Sequence, residues 1–102
     1  MPYGSWINEL PTGFFLVVHI AAFALGAGFA WLAYKQRLTL LSSAFSLFAV
    51  AELVYMTYHL DWTVFLFAHT IAEVLDLAAF ILVFVGAVQT SVTRASTRAA
   101  HA

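Results

Sequence analysis

Residues 62–88 read WTVFLFAHTIAEVLDLAAFILVFVGAV, an apolar run whose only ionisable side chains are His69, Glu73 and Asp76. A helix needs about 20 mostly apolar residues to cross the hydrocarbon layer of a bilayer, and this run is long enough. Toward the amino terminus, residues 38–58 and 13–34 are apolar runs of the same kind. The links between runs are short: Lys35, Gln36 and Arg37 separate the first pair, and His59, Leu60 and Asp61 the second. Spans joined so closely run antiparallel. The expected fold is an all-α membrane protein, with three transmembrane helices in an up-down-up bundle and residues 1–102 forming one membrane domain. Lipid requires each span to satisfy its own backbone polar groups, which a helix does. The apolar runs are continuous rather than alternating, which argues against a β-barrel.

The composition points the same way. Hydrophobic residues make up 64% of the chain and charged ones 9%, whereas a soluble domain carries about a quarter charged residues. Disorder is excluded by the same excess of apolar side chains. Without cysteine there is no disulfide, zinc-thiolate cluster or thiol nucleophile. A net charge of -1 gives no electrostatic case for nucleic acid. No phosphate loop is present, and the serines lack a neighbouring His and carboxylate at matching depth, so an enzyme acting on its own is not expected. The expected partners are the lipid bilayer and either other membrane subunits or further copies of the chain.

Lys35 and Arg37 lie in the first link and Arg94 and Arg98 in the carboxyl-terminal stretch, so all the cations fall on one side of the expected bundle. The positive-inside rule makes that side cytoplasmic and puts the amino terminus outside. Trp6 and Trp62 then mark the outer boundary, and Trp31 and Tyr34 the inner one. Residues 1–11 have no Lys or Arg and precede a span too long for a signal-peptide core, so they are read as retained. Tyr3, Trp6, Ile7 and Leu10 predict a short interfacial helix there. The polar stretch 91–102 is expected to fray in the cytoplasm.

Ionisable side chains inside a bilayer cost about 2.5 to 3.5 kcal/mol on insertion scales, so they usually face protein and carry function. Here they are His19, Glu52, His69, Glu73 and Asp76. At a rise of about 1.5 Å per residue, His19, Glu52 and His69 each lie roughly 10 Å from the outer end of their span, with Glu73 about one turn deeper and Asp76 about two. Residues three, four or seven apart share a helix face. That rule puts His69, Glu73 and Asp76 on one stripe and Glu52, Tyr55 and His59 on another. His19 shares its stripe with Ala22, Gly26, Ala30 and Ala33, and small residues at this spacing let membrane helices approach closely. Depth and angle together predict a cluster of His19, Glu52 and His69, with Tyr55 and Glu73 beside it. His59 and Asp61, at the outer boundary, are expected to sit in a solvated turn.

Imidazoles and carboxylates suit iron, copper, zinc or manganese. The expected metal ligands are His19, Glu52, His69 and Glu73, the last two able to reach one ion from i and i+4. His19 and His69 could instead be the axial ligands of a haem b, with the first-helix glycines making room for the macrocycle. The leading expectation is thus a metal- or haem-binding subunit of a larger membrane redox complex. Two alternatives stand beside it. The same residues, with Tyr55, Asp76 and the hydroxyls of Ser42, Ser43 and Ser46, form a descending series suited to a proton relay in a small oligomeric transporter or proton-conducting protein. The chain could equally be an accessory structural subunit, because a His–Glu pair across a helix interface also serves as polar glue, worth about 0.6 to 2 kcal/mol.

Overall fold

The computed structural model describes residues 3–101. A short 3-10 helix spans Ser5–Glu9, and three long helices follow: α1 (Thr12–Lys35), α2 (Thr39–His59) and α3 (Phe65–His101). All three are long and apolar enough to cross a membrane. The chain is therefore a multi-pass integral membrane protein, all-α, with its spans in up-down-up order. The short helix stands where an interfacial one is expected, entered through Gly4 at φ 88.

The third helix differs from expectation at both ends. It starts at Phe65 rather than Trp62, because Trp62 closes the preceding turn by donating its N–H to the Thr57 carbonyl at 2.9 Å. It also continues through the stretch expected to fray, as far as His101. That stretch contains neither Gly nor Pro, and it carries Ala95, Ala99 and Ala100. Arg94 and Arg98 approach a helix end whose dipole favours cations, so nothing there breaks the helix.

Both interhelical links close in the same way. The Leu38 N–H donates to the Ala33 carbonyl at 2.8 Å and the Arg37 N–H to the Tyr34 carbonyl at 3.0 Å; the Trp62–Thr57 and Asp61–Tyr58 bonds repeat the pattern. This is the Schellman closure, which puts the residue after the helix cap in the left-handed region. Arg37 at φ 62 and Asp61 at φ 63 occupy the position that glycine usually fills. The tight reversal keeps consecutive helices adjacent and antiparallel.

The bundle is open rather than closed. α2 packs against α1 on one side and α3 on the other, while among the described residues α1 and α3 share no Cα pair within 8 Å. The stripe of Gly26, Ala30 and Ala33 is buried, as its spacing implies, but it faces α2 alone. Among the described residues the buried hydrophobic side chains are all alanines, including Ala44 and Ala51 on α2 and Ala68 and Ala72 on α3. Large side chains turn outward, with Phe80 74% and Leu66 72% exposed. Lipid is as apolar as leucine, so helices in it gain by close approach of small residues rather than by hiding large ones. Ser42 adds a polar tie at the cationic end by donating to the Ala30 carbonyl of α1 at 2.9 Å.

Candidate intramembrane site

Glu52 is the only charged side chain in the buried core among the described residues. Its carboxylate meets the imidazole of His19, with Nδ1 and Oε2 2.5 Å apart and the two side chains 17% and 11% exposed. The contact forms because the small-residue stripe below His19 brings α1 onto the face of α2 that carries Glu52. At Gly26 the approach is so close that an added Cβ would stand 2.8 Å from the Phe48 ring.

Three residues further along α2, Tyr55 turns the other way. Its hydroxyl donates to Glu73 of α3 at 2.9 Å, while its ring stacks on His19 with centroids 5.3 Å apart. The rings of Tyr55 and His69 are 6.4 Å apart. Tyr55 therefore stands between the two imidazoles that were expected to meet. His69 lays its ring on Phe65 at 5.0 Å, and no hydrogen bond links it to Glu52 or Glu73 among the described residues. Equal depth did not bring His69 to Glu52, because α1 and α3 flank α2 on opposite sides and the Tyr55 ring fills the space over it.

His59 enters the cluster instead of standing in a solvated turn. It is half-buried, stacked on Phe15 with centroids 4.8 Å apart, and 5.1 Å from the ring of His19. Its place on the Glu52–Tyr55 stripe was the signal, and its position beside a turn concealed it. Next to it, a hollow of about 360 Å³ is lined by Asn8, Tyr58, His59 and Asp61, among others, at the end of the molecule opposite the cations.

Asp76 lies two turns beyond His69 on α3, and its Oδ1 is buried with no hydrogen-bond partner. The serines of α2 do not lengthen the series: Ser42 binds the Ala30 carbonyl and Ser46 the Ser42 carbonyl of its own helix. Among the described residues no group of three or more His, Asp or Glu side chains converges as metal donors. The site comprises two hydrogen-bonded pairs, His19–Glu52 and Tyr55–Glu73, stacked on each other through the His19 and Tyr55 rings and flanked by His59 and Asp76.

No protein-family model matches the chain, and no curated protein or solved structure matches it either.

Proposed function

We propose that the protein is a proton-conducting subunit of a membrane assembly, completed by other subunits or by further copies of itself. The observation that carries this reading is the His19–Glu52 contact at 2.5 Å, a proton donor and acceptor held together inside a membrane span. Intramembrane His and carboxylate chains are the usual material of proton relays. His59 stands at the boundary beside a polar hollow, His19 and Glu52 follow, and Tyr55 with Glu73 continues the series toward α3. Asp76 is the deepest member, roughly 16 Å along α3 from Phe65, about half of the ~30 Å hydrocarbon layer. Beyond it, residues 77–93 have no ionisable side chain. A second half-path must therefore come from a partner. By the positive-inside rule the His59 end opens to the outside, with the amino terminus, and the carboxyl terminus is cytoplasmic.

Proton flux in proteoliposomes tests this reading. Vesicles holding the protein should acidify under an imposed potential faster than empty ones, and Glu52→Gln should remove the difference.

A second reading, a metal-binding subunit of a redox complex, rests on the same contact seen differently. Metal-bound histidines usually give one ring nitrogen to a carboxylate, which orients the other toward the ion. Glu52 would then orient His19 rather than ligate, with His59 the nearest second imidazole at 5.1 Å. A single metal ion suits this geometry better than haem, because the Tyr55 ring packs against both His19 and His69, at 5.3 and 6.4 Å.

A further inference from the structure

The open side of the helix layer forms a groove of about 430 Å³ over α2, between α1 and α3. The rings of Phe29, Phe45, Phe48 and Phe80 line it, together with Gly26, and Asp76 is its one charged residue. Two facts single it out. The Asp76 Oδ1 is buried and receives no hydrogen bond, the one such side-chain atom among the described residues. Among the described residues no lysine or arginine stands near it: Lys35 and Arg37 are at the α1–α2 link, and Arg94, the nearer arginine of α3, lies about 27 Å further along that helix. A carboxylate in hydrocarbon calls for a countercharge or a donor, and the described residues supply none to this oxygen.

We propose that this groove binds a lipophilic ammonium ion, reached sideways from the bilayer. The ammonium N–H groups satisfy the unpartnered Asp76 carboxylate, and the apolar arm lies along the phenylalanines. Aromatic faces attract cations, most strongly where water is excluded, so the rings and the carboxylate select for the same charge. The volume falls within the roughly 300–1,000 Å³ usual for small-molecule sites. The groove lies apart from the His19–Glu52 pair but shares Asp76 with the proposed proton series; binding is read without proton flux, so failure of one reading is distinguishable from failure of the other.

Titration of 4-phenylbutylammonium into the full-length protein in lipid nanodiscs, with empty nanodiscs as the partitioning background, tests the proposal. The neutral analogue 4-phenylbutanol reads the apolar contribution alone. Saturable binding is expected, with the ammonium preferred over the alcohol by roughly tenfold or more. Asp76→Asn should abolish that preference, and Phe80→Ala should weaken both ligands; Phe80 is 74% exposed, so its truncation leaves helix packing intact. Unchanged helicity of both variants by circular dichroism confirms that the groove itself is being read. Absence of saturable binding to the wild type, or an ammonium preference that survives Asp76→Asn in a folded protein, would overturn the proposal.

Discussion

His19 Nδ1 stands 2.5 Å from Glu52 Oε2, and this contact ties α1 to α2 in the half of the molecule away from the cations. His69, expected at the same depth, is separated from the pair by the Tyr55 ring. A double-mutant cycle on His19→Ala and Glu52→Gln, read by unfolding in mixed micelles, should give a coupling of about 0.6 to 2 kcal/mol. The matching cycle on His69→Ala and Glu52→Gln should give none. Equal couplings would place His69 at the pair.

Gly26 and Gly28 of α1 should respond in opposite directions. An added Cβ at Gly26 meets Phe48 at 2.8 Å, with Ala49 and the Phe45 carbonyl oxygen both at 3.4 Å, whereas at Gly28 it meets nothing within 4 Å. Gly26→Ala should destabilise the α1–α2 interface by about 1 to 3 kcal/mol through overpacking. Gly28→Ala should stabilise by about 0.5 to 1 kcal/mol through helix propensity alone. Thermal denaturation of the two variants in one detergent checks both signs.

Arg37 holds a left-handed backbone at φ 62, where most L-residues pay a steric cost. Arg37→Gly should leave the fold as stable or raise its stability by up to about 1 kcal/mol, and Arg37→Val should lower it by about that much or more, since branching at Cβ is worst accommodated there. The order of the two melting temperatures is the readout.

The membrane class, the number of spans and their alternation were legible because lipid leaves a chain few choices and the apolar runs are unbroken. Helical periodicity also carried Gly26, Ala30 and Ala33 to a buried face, and it put Glu52 and Tyr55 within reach of their partners. It could not say that α2 would separate α1 from α3, because depth and angle are properties of one helix and the packing order belongs to all three. For that reason the expected trio became two pairs, with Tyr55 at the junction. His59 was hidden by the opposite kind of error: sequence places it beside a turn, but the tight closure through Trp62 leaves it on the helix end, against Phe15 and His19. The helical stretch to His101 was obscured by its polarity, which says where a segment dissolves and not whether it is ordered.

The two readings of the site separate on metal content. Under the proton reading, protein purified without chelators and dialysed against zinc or copper should retain well below one ion per chain. Stoichiometric retention that is lost in both His19→Ala and His59→Ala would favour the redox-subunit reading, because two imidazoles 5.1 Å apart would then be acting as ligands.

Proton flux into proteoliposomes under a potassium diffusion potential, compared for wild type, Glu52→Gln and Glu73→Gln, decides whether the intramembrane pairs conduct. The intramembrane pairs predict flux above that of empty vesicles in the wild type and background flux in Glu52→Gln, with Glu73→Gln also reduced. Wild-type flux equal to that of empty vesicles, or full flux in a folded Glu52→Gln protein, would rule out conduction through the His19–Glu52 pair.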